Sequence, residues 1–83
     1  MVELLSKPKV IGVKQVTKAI KDNSASVVII AKDADKNVTV PIINMCRKED
    51  INILFADSMQ KLGNQCKIDV GAACVAILSE KND

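Results

Sequence analysis

The run Ser26–Ala31, SVVIIA, constrains the fold more than any other stretch of this chain. Four β-branched residues in succession, with no polar alternation, mark a strand covered on both faces. Asn52–Ala56 (NILFA) and Ala72–Leu78 (AACVAIL) are further continuous apolar runs of strand length. Around them the spacing changes. Val16, Ala19 and Ile20 repeat at i, i+3, i+4, the period of one buried helical face, in a helix that begins after Gly12. A second helix is expected from about Val40 to Lys48, with Thr39 as its cap and Pro41 in a first turn where a missing N–H costs nothing. In the third, Asp57 is the expected N-cap with Gln60 three residues on, and Met59, Leu62 and Cys66 turn inward. Gly63 weakens this helix by about 1 kcal/mol relative to alanine, which implies close packing or an early end. A short strand near Lys9–Ile11 and a short helix at Val2–Leu5 complete the series. Strands alternating with helices predict parallel pairs joined by right-handed crossovers with helices on both faces, an α/β/α sandwich.

Eighty-three residues, 48% hydrophobic and 27% charged, suit one globular domain. A chain of this size buries roughly 60–65% of its unfolded surface, enough for a small core without staples. Phe55, the one aromatic residue, is expected to be buried, in a core made otherwise of Val, Ile, Leu, Ala and Met.

Several chemistries lack their residues. The chain contains no histidine, so a Ser or Cys nucleophile would have no customary base. Three cysteines, at 46, 66 and 74, include no CxxC pair, which excludes the usual zinc spacings. Cys46 and Cys74 lie among apolar neighbours and read as small buried hydrophobes of a reducing compartment. Asp33 and Asp35, just after SVVIIA, sit where α/β sites often lie, but turn and capping chemistry explains two carboxylates with no third ligand. Neither GxGxxG nor GxxxxGK[ST] occurs. An enzyme is not expected, nor a cofactor or metal. The first residues, MVELLSKPK, lack a secretory apolar region, and no run approaches the ~18 apolar residues of a membrane span. The expected location is the cytoplasm.

Charge is uneven although the net value is only +2. Residues 1–21 hold five lysines against Glu3, while the remainder has seven basic and nine acidic residues. The basic pole includes VIGVKQVTKAIK (10–21), in which Lys14, Lys18 and Lys21 share one helical face. Such a face is either ordinary solvated surface or a site for something negative. The start of a helix favours anions through its unpaired N–H groups and dipole, and it falls here beside Lys14 and Gln15. Lysine donates to phosphate or to guanine O6 and N7, whereas glutamine both donates and accepts, so the set suits base edges as well as backbone. A second segment, KIDVGAA (67–73), puts Ile68 and Val70 in a loop before the last strand. They are either core plugs or a shelf for an unstacked base, and Gly71 permits a tight entry into the strand. Stacking on a row of aromatic side chains is excluded by composition.

The succession GVKQVTKAI, VVIIAKDAD and ADSMQKLGNQCKIDVGAACVAIL resembles the archaeal ribosomal protein "L seven Ae" and its "L thirty e" relatives, most closely the small bacterial members. The resemblance spans about residues 8–79. It implies a three-layer α/β/α sandwich around a mixed four-stranded sheet, and recognition of RNA kink-turns. In the family the glycine-led helix start meets tandem sheared G·A pairs, and the loop before the last strand packs on an extruded nucleotide. The RNA-facing residues implied here are Gly12, Val13, Lys14, Gln15, Lys18, Lys32, Ile68, Asp69, Val70 and Gly71. Archaeal and eukaryotic members usually have Asn and Glu where this chain has Lys14 and Gln15. That difference removes a carboxylate acceptor for guanine and is similar to the bacterial branch. The expected partner is structured RNA with a kink-turn or similar bent loop, ribosomal or riboswitch, rather than DNA or membrane. The competing reading is a protein-interaction or structural module of the same fold with little specific RNA binding.

Overall fold

The computed structural model describes residues 2–79; the outermost positions of the expected single domain, 1 and 80–83, lie outside the described residues. The elements run α1 (Val2–Leu5), β1 (Lys9–Ile11), α2 (Val13–Lys21), β2 (Ala25–Ala31), α3 (Lys36–Lys48), β3 (Asn52–Ala56), α4 (Met59–Gln65) and β4 (Cys74–Leu78). One four-stranded sheet has the order β1-β4-β2-β3.

β2 and β4 are central, and their continuous apolar runs follow from cover on both faces. Val28, Ile30, Cys74 and Ala76 face Val16, Ala19 and Ile20 of α2 and Ile42 and Cys46 of α3. On the opposite face Ile29, Ala31, Val75 and Ile77 meet Leu5 of α1, Leu62 of α4 and Cys66, the C-cap of α4. The chain is thus an α/β/α sandwich with a mixed sheet. All three cysteines are buried and free.

Three expectations change. β2–β3 is parallel, but β4 runs antiparallel to both β1 and β2, so alternation of helix and strand gives only one parallel pair among the described strands. NILFA is an edge strand. Leu54 is 38% and Phe55 49% exposed, whereas the apolar run and the aromatic ring had implied burial. The third change concerns helix starts. α3 begins a turn earlier than Val40, capped by Asp35, whose carboxylate accepts the Asn37 N–H at 2.8 Å. Thr39 is therefore buried within the helix, and Pro41 falls in its second turn. α4 is capped by Ser58, not Asp57, through the Lys61 N–H at 3.1 Å. Asp57 instead lies 3.5 Å from Lys61 and 3.8 Å from Lys32.

The strand directions dictate where these changes lead. β1, β2 and β3 run together against β4. The C-terminal ends of three strands, the N-terminal end of β4 and the starts of α2, α3 and α4 therefore share one end of the sheet.

Candidate nucleic-acid interface

That end is joined across its width by backbone hydrogen bonds. Gly12 N–H donates to the Cys74 carbonyl at 3.0 Å, Ala31 N–H to Ala73 at 2.9 Å, and Lys32 N–H to Ala56 at 2.9 Å. Ala72 N–H reaches the Met59 carbonyl at 3.0 Å, and the Asp33 carboxylate accepts the Met59 N–H at 2.8 Å. The acidic pair after β2 is thus occupied in turn and capping contacts, one carboxylate on α4 and the other on α3.

Gly12 follows β1 with φ 99° and serves as N-cap of α2. A Cβ added there would meet nothing within 4 Å, so backbone conformation rather than space calls for glycine. No side chain among the described residues caps the helix. Its first backbone bond, Val16 N–H to the Gly12 carbonyl at 2.9 Å, leaves the Val13, Lys14 and Gln15 N–H groups ahead of the ladder. Burying Val16, Ala19 and Ile20 turns Lys14, Gln15 and Lys18 outward. Lys18 lies between two shallow hollows, one shared with Lys14 and Lys21 and the other with Gln15. Val13 is 39% exposed beside them.

The Gly12–Cys74 bond sets the start of α2 beside the start of β4, into which the preceding loop leads. α4 ends in a tight reversal in which Lys67 holds φ 62° and Ile68 N–H donates to the Gly63 carbonyl at 3.1 Å. The reversal turns Ile68 onto the α1/α4-side core. Ile68 is consequently a core plug, and of the two only Val70, which is 70% exposed, is left open to serve as a shelf. Asp69 and Gly71 are exposed beside it. Gly71 does not use a left-handed conformation. Its contribution is close approach, since an added Cβ would lie 3.1 Å from that of Met59. Lys32, at the far side of the same sheet end, is exposed and paired loosely with Asp57.

Residues 4–83 match the Ribosomal protein L7Ae/L30e/S12e/Gadd45 family. The chain belongs to that family. An "RNA-binding protein" of Bacillus pumilus is 45% identical over 69 residues, 83% of this chain and 84% of that protein. Another, from Caldanaerobacter subterraneus, is 41% identical over 76 residues, covering 92% and 93% of the two chains. The solved structure of the Giardia lamblia 15.5 kD RNA binding protein superposes with a TM-score of 0.81 at 24% identity, over 88% of this chain and 62% of that one. At that identity the likeness shows the fold, and the L7Ae-type sandwich has the layers described above. Among the described residues, no helix is long and apolar enough to cross a membrane.

Proposed function

We propose that this protein is a single RNA-binding domain that recognises kink-turns and stabilises their bent form, without a reaction of its own. The observation that carries the reading is the junction of the α2 start and the loop before β4 through the Gly12–Cys74 hydrogen bond. On this reading the exposed polar donors of α2 and the exposed Val70 serve one surface, the pairing that G·A pairs beside an extruded nucleotide require. Lys18 holds phosphate or a guanine edge, Lys14 and Gln15 lie against the G·A pairs, and the first amides of α2 receive backbone phosphate. Val70 covers the extruded base, with Asp69 and Gly71 shaping its loop, while Ile68 supports that loop from the core. Lys32 extends the basic surface. RNA binding by relatives over 40% identical supports the partner class. Three free thiols are consistent with work in the cytoplasm. The protein acts by binding bent RNA better than extended RNA, so it shifts an existing equilibrium.

The test is a titration into an end-labelled kink-turn in magnesium-free buffer, with a G·A-disrupted RNA as control. Folding of the first and not the second is expected. Lys18→Ala should weaken binding by about 5–150-fold, the loss of one good base or phosphate contact. Val70→Asp should weaken it with unchanged circular dichroism, because Val70 is a surface residue. An equal response to both RNAs overturns specific recognition and leaves only charge attraction.

A further inference from the structure

The exposed ring of Phe55 is the feature that the kink-turn reading does not use. In the β2–β3 register Phe55 is opposite Ile30, which belongs to the layer under α2 and α3. The ring therefore lies on the α3 face of an edge strand. It forms one wall of an open groove of about 300 Å3, whose other lining includes Val40 and Ile43 of α3 and the cations Lys32 and Lys36. Val40 is 46% exposed, so two of the apolar walls face solvent. The volume lies at the lower end of small-molecule pockets, about 300–1,000 Å3, and suits one planar ring system rather than a stacked row.

A flat apolar wall beside two ammonium groups fits a ligand with a planar face and an attached anion. A nucleotide of single-stranded RNA has both. The neighbouring acids do not cancel this complementarity. Asp35 is turned to the Asn37 N–H, and Asp33 to the Met59 N–H of α4, beneath the opposite face. Asp57 pairs with Lys32, yet at 3.8 Å and with both side chains more than 60% exposed the pair is weak. Lys61 at 3.5 Å remains with Asp57 when Lys32 moves to a phosphate. The groove also continues the surface already described, since it opens at the same sheet end and shares Lys32.

We infer that the groove between Phe55 and α3 is a second RNA subsite, which stacks one unpaired base on Phe55 and holds its phosphate with Lys32 and Lys36. The inference rests on the reading that this protein binds RNA, but not on the kink-turn itself. It explains an exposed aromatic side chain on an open strand edge, a feature otherwise prone to edge-to-edge pairing.

The composition supplies a direct probe. With no Trp, Tyr or His, Phe55 is the sole aromatic side chain, so the 13C-attached aromatic protons of the labelled protein belong to it alone. Titration of the full chain with the oligonucleotide rA6 at low salt should move these protons upfield. Phe55→Ala should lower rA6 affinity by about 5–150-fold, the span expected for one lost stack, while Phe55→Trp retains it. Lys32→Ala with Lys36→Ala should flatten the salt dependence. Folding of a blunt-ended kink-turn should be the same with Phe55→Ala as with the native chain. If kink-turn folding fails while the Phe55 shift persists, the subsite stands and the kink-turn reading falls. An unshifted ring at roughly millimolar rA6 overturns the subsite, as does equal rA6 affinity of Phe55→Ala. Ring shifts that follow protein concentration without RNA, with a dimer in sedimentation, also overturn it by assigning the edge to a second copy.

Discussion

Asn23, Asp50 and Lys67 hold φ angles of 58°, 58° and 62°, each one residue beyond the C-cap of a helix. At each, the next N–H returns to a carbonyl of the last turn: Ser24 to Ala19, Ile51 to Cys46 and Ile68 to Gly63. Glycine is the usual occupant of such a left-handed cap because it lacks the Cβ that crowds there. Asp50 adds a further cost, since a carboxylate at the negative end of a helix is unfavourable. Asp50→Gly should therefore stabilise the protein by about 1 kcal/mol, read as a rise in Tm of about 4–8 °C in thermal unfolding. An unchanged Tm would mean that the aspartate makes a compensating contact. At this scale the sequence was partly legible. Gly12 was readable as a helix start because no other residue suits φ 99°. The Asp35 and Ser58 caps were assigned instead to Thr39 and Asp57, because each competing position also offers an oxygen and only the chain path selects between them. Where glycine is replaced by Asn, Asp or Lys, the signal for a helix end is faint.

Among the elements, α4 and the loop that follows it are fitted to one another at Gly63. An added Cβ there would fall 2.1 Å from the Val70 carbonyl oxygen, which is backbone and cannot rotate away. Alanine would gain about 1 kcal/mol of helix propensity, but the overlap forces the loop off the helix. Gly63→Ala should then show a net loss of about 1–3 kcal/mol in urea unfolding. It should also weaken the proposed kink-turn binding, because the loop that carries Val70 is pushed off α4. Retained stability together with retained binding would show that the loop shifts freely and positions nothing. Gly63 was legible as either close packing or an early helix end, and the packing partner that decides it lies seven residues on, met only after the chain reverses at Lys67. The strands show a similar boundary. SVVIIA and NILFA are both continuous apolar runs, yet only the first is central. Coverage depends on strand order, a non-local property, so a run within one strand does not distinguish an edge from a centre. Direction is equally silent: β4 enters between β1 and β2 against the alternation that suggests parallel pairing.

For the whole molecule, the two arms of the proposed RNA surface are the stretches VIGVKQVTKAIK and KIDVGAA, which the resemblance set side by side. What neither pattern held was the partition between Ile68 and Val70, which depends on the Lys67 reversal, or the exposure of Phe55, which depends on the sheet edge. The same central packing that joins the arms also makes the fold sensitive to alkali. Cys74 lies fully buried in β4, on the face covered by α2 and α3. Burial, and secondarily the nearby Cys46 thiol, pushes its pKa up to about 11 from 9.0. Above pH 9 the unfolded chain releases this proton while the folded chain retains it, so the unfolded state binds fewer protons and stability must fall as pH rises. The contribution is complete below pH 9 and is lost on passing through about 11, and amounts to about 2–3 kcal/mol. The informative quantity is a difference between two chains, which isolates this one thiol. Urea unfolding of the native chain and of Cys74→Ala, measured from pH 8 to pH 11, should show the steeper decline in the native chain. The substitution itself should cost stability at pH 8 by leaving a small cavity between β4 and its helices, and the two curves should then converge as the native thiol loses its advantage. Parallel curves across the interval would mean that Cys74 ionises without unfolding, and that the layer beneath α2 admits water at the point where β4 meets Gly12.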